Sequence, residues 1–344
     1  MTARTCVLHI GTHKTGTTLL QNFLQWNAAA LDRAEIHFPA AGWYGAVPGQ
    51  HATAWELLDG DTGEQLQALA DELSSTTVRH AVLSSEEFSL LFDRPDGLRT
   101  LVECLQAIGY SIKVLAYVRS QATFAESMFA ERIKHSDVRT FSDFLDGVLD
   151  SGSFVAHERR VTLELSRLLA PFAELVGKEN VRLQPYPIGN DPLAIFHDFL
   201  EALQQLVPDF NPGSLKLDLH RTRMNESLSF GHLLGTAFVS LFPGAGLPDN
   251  PDDFIANHAP SLPRQLFDAR FSLLEHCDYE RFLERFAQDN AFVLREYGAT
   301  APLLSERDIP DATNPCFTIA AFERPLLDSC LRTWLDEASN PVGR

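Results

Sequence analysis

The chain has 344 residues and a formal net charge of −18, with 45% hydrophobic and 22% charged residues. These proportions are those of an ordinary globular protein, and the negative charge argues against a general affinity for nucleic acid or for anionic membrane surfaces. The five cysteines are scattered and show no C-x-x-C spacing, so neither a disulfide framework nor a zinc site is expected.

The start of the chain and its apolar runs bear on where the protein is found. The first strand-like segment begins within a few residues of the N-terminus, which leaves no room for a signal peptide. No apolar run approaches the roughly 18 residues that a helix needs to span a bilayer. The sequence therefore predicts a cytoplasmic protein without a transmembrane segment, and it leaves the oligomeric state open.

Strand-like and helix-like segments alternate through the first half of the chain, which predicts βαβ units and an α/β fold with a parallel sheet. Strands are expected at residues 6–10, 36–38, 78–84, 112–118 and 181–186. Helices are expected directly after residue 18 and at residues 96–108, 123–134 and 192–206. Residues 40–62 are rich in Gly, Pro, Trp and His and are predicted to form a loop. The chain beyond residue 206 is mainly helical in character.

Ligand sites in such folds lie at the carboxyl ends of the parallel strands. Functional polar side chains are therefore expected directly after residues 10, 84, 118 and 186.

The segment after the first predicted strand reads G-T-H-K-T-G-T-T from Gly11 to Thr18. It differs from the Walker A pattern G-x-x-x-x-G-K-[ST], because Thr17 follows the second glycine and the lysine comes earlier, at Lys14. A turn of this kind directs backbone N–H groups and a helix N-terminus at one point, which favours a bound phosphate. The alternative is a strand–helix turn that binds no ligand.

This loop resembles the 5′-phosphosulfate loop of sulfotransferases that use 3′-phosphoadenosine 5′-phosphosulfate (PAPS). The resemblance implies a P-loop-type sheet flanked by helices, with a mainly helical C-terminal part. The loop residues expected to bind PAPS are Gly11, His13, Lys14, Thr15, Gly16, Thr17 and Thr18. Contact of the His13 side chain with substrate is a further possibility, although a histidine in a loop is more often a bystander than a base.

A second element follows the predicted strand at 112–118. Arg119 leaves the end of this strand, and Ser127 stands eight residues later in a predicted helix. A guanidinium group can bind a phosphate through two hydrogen bonds. This arrangement is similar to the 3′-phosphate-binding element of the same superfamily, which implies that Arg119 and Ser127 select PAPS over ATP. The alternative is a surface salt bridge at Arg119 and an ordinary helical serine at Ser127.

A general base is expected at the end of the strand that closes at residue 84. In carbohydrate sulfotransferases a glutamate at the corresponding strand end deprotonates the acceptor, and the resemblance gives this role to Glu86. Glu87 competes for the role, because the end of a strand is not fixed by sequence to within two residues. The third possibility is that the two serines and two glutamates at residues 84–87 only cap the next helix.

The resemblance implies in-line transfer of a sulfuryl group from PAPS to the hydroxyl or amine of a small-molecule or glycan acceptor, with no metal. Lys14 would neutralise the charge that develops on the departing phosphate. One alternative is a P-loop small-molecule kinase, which requires a lysine directly after the second glycine. Another is a protein that binds PAPS without turnover.

The resemblance extends over about residues 5–300 and predicts one domain over residues 1–344. Residues 1–206 are expected to hold the core sheet and the PAPS site, and residues 207–344 a helical extension of the same domain. Residues 221–227 contain two arginines and are interpreted either as a loop that closes over PAPS or as a helix N-terminus. The polar and aromatic side chains that are candidates for an acceptor pocket, or for a satellite of the core, are Trp43, Tyr44, His51 and Trp55.

Overall fold

The computed structural model describes residues 4–61, 63–135, 139–187, 191, 193–217, 230–241, 272–297 and 315–339. The strands are β1 Arg4–His9, β2 Ile36–His37, β3 His80–Ser84, β4 Tyr110–Val118, β5 Ser153–Ala156, β6 Arg159–Thr162 and β7 Val181–Pro185. The helices are α1 Thr17–Trp26, α2 Ala28–Arg33, α3 His51–Asp59, α4 Glu64–Ser75, α5 Pro95–Ala107, α6 Gln121–Lys134, α7 Phe141–Ser151, α8 Leu165–Val176, α9 Ala194–Leu206, α10 Phe230–Leu241, α11 His276–Tyr297 and α12 Pro315–Ser339.

Five strands form one parallel sheet in the order β2-β3-β1-β4-β7. The central strand β1 pairs with β3 through Val7 and Val82, and with β4 through Cys6 and Ile112. The three central strands β1, β3 and β4 are buried along most of their length, as expected for a sheet that is covered on both faces. The prediction of an α/β fold with a parallel sheet, flanking helices and a helical C-terminal part is confirmed for the described residues.

Helix α1 is fixed to the sheet by an apolar face that the sequence pattern predicts. Leu20 and Leu24 are fully buried, and Phe23 is buried against Phe196 of α9, with ring centroids 4.9 Å apart. Burying each of these large side chains stabilises the fold by about 1.5–3 kcal/mol. This packing holds the N-terminus of α1 in place at the carboxyl edge of the sheet.

The prediction that residues 40–62 form a loop is wrong in its second half, where helix α3 spans His51–Asp59. Ala54, Leu57 and Leu58 provide a buried apolar face, and Gly60 ends the helix in a left-handed conformation. Apart from Gly60 at the helix end, the glycines and the proline that suggested a loop all precede His51.

The contacts divide the chain into two compact units. The first comprises Met1–Arg119, Arg159–Met224 and Gln288–Leu303, and it contains the five-stranded sheet. The second comprises Ser120–Glu158, Asn225–Ala287 and Leu304–Arg344. The expectation of one domain over residues 1–344 stays a prediction.

None of the described helices is long and apolar enough to cross a membrane.

Candidate functional site

The segments that follow β1, β3, β4 and β7 lie together at one edge of the sheet. The Ser85 N–H donates to the His9 carbonyl at 3.1 Å, which joins the segment after β3 to the end of β1. The Tyr186 N–H donates to the Val118 carbonyl at 2.6 Å, which joins the segment after β7 to the end of β4. The structure thus brings the polar segments together where the sheet topology predicts a ligand site.

Gly11 begins the 11–18 loop in a conformation that favours glycine, with φ at +79°. A Cβ atom at this position would lie 2.9 Å from the Glu86 Cβ and 3.0 Å from the Glu86 Cα. Glycine is therefore required twice, by the backbone conformation and by the close approach of Glu86. The same contact places the predicted base directly against the predicted phosphosulfate loop.

The crown of the 11–18 loop is closed by hydrogen bonds within the loop and to β4. The Thr15 hydroxyl donates to the Thr12 carbonyl at 2.6 Å, and the Thr12 N–H donates to the Tyr117 carbonyl at 2.7 Å. Lys14 stands at the crown with φ at +61°, and it is exposed. The loop is therefore tied to the sheet at its base while it presents its lysine outward.

Gly16 ends the loop and caps α1 in a left-handed conformation with φ at +75°. Gly16 has no side chain with which to cap this helix end, whose first turn begins with Thr17 and Thr18. A Cβ on Gly16 would lie 3.3 Å from Cε2 of Tyr186. The helix N-terminus, with its partial positive charge, thus faces the position where an anion is expected.

Arg119 reaches the same loop from the end of β4. Its Nη1 donates to the Lys14 carbonyl at 3.3 Å, which places the guanidinium beside the crown. Ser127 lies half-buried on α6, in the second compact unit. The joint role of Arg119 and Ser127 in binding a 3′-phosphate stays a prediction. Residues 221–227 lie outside the described residues.

Glu86 begins a short 3₁₀ helix, Glu86–Asp93, directly after β3. Its Oε2 accepts a hydrogen bond at 2.9 Å from Nε2 of Gln21, a side chain of α1 that is 1% exposed. The 3₁₀ helix is capped by Ser85, whose hydroxyl accepts from the Glu87 N–H at 3.2 Å. The Glu86 carboxylate is therefore held by a neutral amide and is not used as a cap.

Glu87 has two cationic partners. Its Oε1 lies 3.6 Å from Nε2 of His13, and its Oε2 lies 3.7 Å from Nη1 of Arg159. Nη2 of Arg159 donates to Oδ1 of Asp59 at 2.9 Å. Burial raises the pKa of Glu87, but the ion pair with His13 and the charge of Arg159 outweigh it and hold the pKa below its usual value.

His13 is the partner of Glu87 on the 11–18 loop. Burial lowers the pKa of His13, but the ion pair with Glu87, with a smaller effect from the charge of Glu86, raises it above its ordinary value of 6.5. Because the folded-state pKa is raised, the pairing stabilises the fold below about pH 6.5, and the stabilisation is lost as pH rises through the folded-state pKa. The loop thus carries a second cation beside Lys14 in mildly acidic solution.

The effect of Glu87 on His13 can be measured directly. In an NMR titration of the histidine ring protons, we expect Glu87→Gln to lower the pKa of His13, because it removes the negative charge that pairs with the ring. Glu86→Gln is the matched control and is expected to lower this pKa less, because the charge of Glu86 has the smaller effect on His13. An unchanged pKa of His13 in Glu87→Gln would show that the two side chains do not pair.

The aromatic candidates of residues 43–55 separate into two groups. Trp43 packs on Phe38 with ring centroids 5.6 Å apart and serves as a satellite of the core. Tyr44, Trp55 and His51 form a separate row, with centroids 5.1 Å and 6.0 Å apart along it. The possibility of a satellite of the core therefore applies to Trp43, and the row of three rings is a distinct feature.

The sequence did not predict the contacts that Gln21, Arg159 and His9 make with Glu86, Glu87 and Ser84. Gln21 stands one turn after Thr17 and Thr18 on α1, so a helical count from the loop places its side chain near the same edge. Arg159 carries no local signal, since it lies more than seventy residues from Glu87 in sequence. His9 also has no sequence signal that predicts its contact, since it lies in an apolar strand. It is buried on β1, where its Nδ1 lies 2.8 Å from the Ser84 hydroxyl, and burial lowers its pKa to about 4.

The chain was also compared with known proteins. No family model, no curated protein and no solved structure matches it. Its function is therefore inferred from the residues at this edge of the sheet and from their geometry.

Proposed function

We propose that the chain is a PAPS-dependent sulfotransferase with a P-loop-type fold. It transfers a sulfuryl group from PAPS to the hydroxyl or amine of an acceptor. The observation that carries this proposal is the convergence of Arg119 on the crown of the 11–18 loop, where its guanidinium lies 3.3 Å from the Lys14 carbonyl. The contact brings the Arg119 guanidinium next to the backbone of the loop that carries Lys14, which supports a role for both residues in binding a doubly phosphorylated nucleotide.

The loop suits the sulfated end of PAPS. Gly11 and Gly16 turn the backbone without side chains, and the N-terminus of α1 has no side-chain cap among the described residues. Because the net charge is −18, the chain as a whole repels an anion, so local features have to hold it. Those features are the loop N–H groups, Lys14, Arg119 and protonated His13.

The proposed reaction is a single displacement. The bond between sulfur and the 5′-phosphate oxygen of PAPS breaks, and a bond forms between sulfur and the acceptor oxygen or nitrogen. The acceptor proton passes to the Glu86 carboxylate, and the electron pair of the broken bond stays on the phosphate. Lys14 stabilises the negative charge on that phosphate oxygen as it leaves.

Glu86 fits the role of base better than Glu87 does. It touches the loop at Gly11, and its hydrogen-bond partner Gln21 is a neutral amide. Glu87 is engaged by His13 and Arg159, and its lowered pKa makes it a weaker base. We therefore assign proton removal to Glu86 and the positioning of His13 to Glu87.

The selection of PAPS is tested with two nucleotides that differ in the 3′-phosphate. We expect Arg119→Ala to weaken binding of 3′-phosphoadenosine 5′-phosphate (PAP) about 10- to 100-fold, the loss of a charged hydrogen-bonded pair. Binding of 5′-AMP is expected to change little, and calorimetric titration measures both. Arg33→Ala, at an exposed position at the end of α2, is the matched control.

Two results bear against the proposal. Equal losses for PAP and 5′-AMP would show that Arg119 acts only through the shape of the loop. A wild-type chain that binds neither nucleotide would overturn the proposed function.

A further inference from the structure

One carboxyl group of the second compact unit is fully buried and takes no part in the proposed site. Glu323 of α12 is 0% exposed, and its Oε2 accepts a hydrogen bond from the Ser272 N–H at 3.1 Å. Within the described residues its Oε1 is also buried and has no hydrogen-bond partner. An ionised carboxylate is costly to bury without a compensating positive charge, so such a group tends to keep its proton.

The basic side chain next to Glu323 in sequence is engaged by other residues. Nη1 of Arg324 donates to Oδ2 of Asp278 at 2.5 Å and lies 3.9 Å from Oε1 of Glu275. Its Nε donates to the Ser142 hydroxyl at 3.2 Å. Arg324 therefore ties α12 to the start of α11 and to α7 and, in the described part of the chain, forms no ion pair with Glu323.

A second carboxyl group acts on Glu323 from α6. Oε1 of Glu126 accepts from the Leu273 N–H at 2.7 Å, one residue along the chain from the N–H that Glu323 accepts. Burial raises the pKa of Glu323 to about 7, and the negative charge of Glu126 contributes to the rise. The hydrogen bond from Ser272 acts in the opposite direction and does not cancel these two effects.

The segment that the two carboxyl groups hold leads directly into α11. Leu273 and Leu274 are both buried. The Glu275 N–H then donates to the Asp278 carboxylate at 2.9 Å, at the beginning of the helix. The hydrogen bonds to α6 and α12 therefore fix the residues that precede α11.

We propose that Glu126 and Glu323, here called the carboxylate clamp, form a pH-sensitive latch on residues 272–273. The latch is closed while Glu323 is protonated, because the clamp then holds a single negative charge. Loss of that proton to solvent places two negative charges on the same segment, one of them buried without a cation. Opening of the segment exposes Glu323 to water, so ionisation favours the open state.

The direction of the pH dependence follows from the protonation of Glu323 in the closed and open states. Its pKa is about 7 in the closed state and returns to its ordinary value of 4.5 once water reaches it. The extra stability of the closed state is therefore fully present below about pH 4.5 and is lost as pH rises to about 7. For these values the equilibrium constant for opening rises about 10- to 100-fold between about pH 5 and pH 8.

Hydrogen exchange of the full chain, followed by mass spectrometry, tests the latch. Exchange in the peptide that contains residues 272–275, corrected for the intrinsic effect of pH on exchange, reports the opening equilibrium. In the wild type we expect this corrected exchange to rise about 10- to 100-fold from about pH 5 to pH 8. Glu323→Gln still offers an acceptor to the Ser272 N–H but cannot ionise, so it is expected to remove most of the rise.

Two further variants make the test specific. Glu126→Gln still offers an acceptor to the Leu273 N–H but removes the neighbouring charge, so we expect a smaller rise. Asp289→Asn is the matched control, because the Asp289 carboxylate also accepts from two successive N–H groups, those of Leu165 and Ser166, at 2.6 Å and 3.2 Å. It lies in the first compact unit, and we expect it to leave the rise unchanged.

The melting temperature provides an independent readout. We expect it to fall more between about pH 5 and pH 8 in the wild type than in Glu323→Gln, because the variant has no charge to bury. Equal falls in the two proteins would overturn the latch, as would corrected exchange at residues 272–275 that does not change with pH in the wild type. An unreduced rise in either Glu323→Gln or Glu126→Gln would overturn it as well.

Discussion

Replacing Gly11 with alanine is expected to lower the free energy of unfolding by about 3 kcal/mol and to abolish measurable PAP binding. The backbone at Gly11 has φ at +79°, which costs alanine about 1 kcal/mol. The added methyl group would also lie 2.9 Å from the Glu86 Cβ and 3.0 Å from its Cα, so backbone has to move, at a cost of about 1–3 kcal/mol. Since the loop and the base meet at this contact, the movement disturbs both.

The matched control is Gly60→Ala, because Gly60 has a similar φ of +75° but nothing within 4 Å of an added Cβ. It carries the backbone cost alone, about 1 kcal/mol, and leaves PAP binding unchanged. Thermal unfolding and calorimetric titration of the two variants check the prediction. Equal stabilities in the two variants would show that Glu86 does not press against the loop.

Glu86→Gln is expected to lower kcat for transfer from radiolabelled PAPS about 100-fold or more, because it removes the group that takes the acceptor proton. An amide oxygen still accepts from Gln21, so the fold at this point is preserved. PAP affinity is expected to stay within about twofold of the wild type, since the proposed role of Glu86 concerns the acceptor and not the donor.

Glu87→Gln provides the comparison for this prediction. Its partners are His13 and Arg159, so we expect a smaller loss of kcat than in Glu86→Gln. The loss is expected to be largest at the pH values at which His13 is protonated in the wild type. A loss of kcat in Glu87→Gln that exceeds the loss in Glu86→Gln would move the base to Glu87.

The sheet and the loop at its edge could be predicted because their signals are local. The run Cys6–Val7–Leu8 is apolar without alternation, which is typical of a strand that is buried on both faces, and all three residues are 0% exposed. Parallel topology then places the segments after residues 10, 84, 118 and 186 at one edge. The proximity of Glu86 and Arg119 to the 11–18 loop followed from topology alone.

What could not be predicted depends on tertiary contacts. Arg159 pairs with Glu87 and Asp59 from distant parts of the chain, and no periodicity encodes such a choice. Helix α3 was missed because the turn residues that precede His51 dominated the composition of the segment. The choice between Glu86 and Glu87 required the partners of each carboxylate, which the sequence does not contain.

The proposed function is tested most directly by calorimetric titration of the wild-type chain with PAP, beside ATP with Mg²⁺. We expect one PAP to bind per chain at about micromolar Kd, near −8 kcal/mol, and ATP with Mg²⁺ to bind at least about 100-fold more weakly, since ATP lacks the 3′-phosphate that Arg119 is proposed to bind. Tight binding of ATP that requires Mg²⁺, with no response to PAP, would rule out the proposed sulfotransferase and indicate a P-loop kinase.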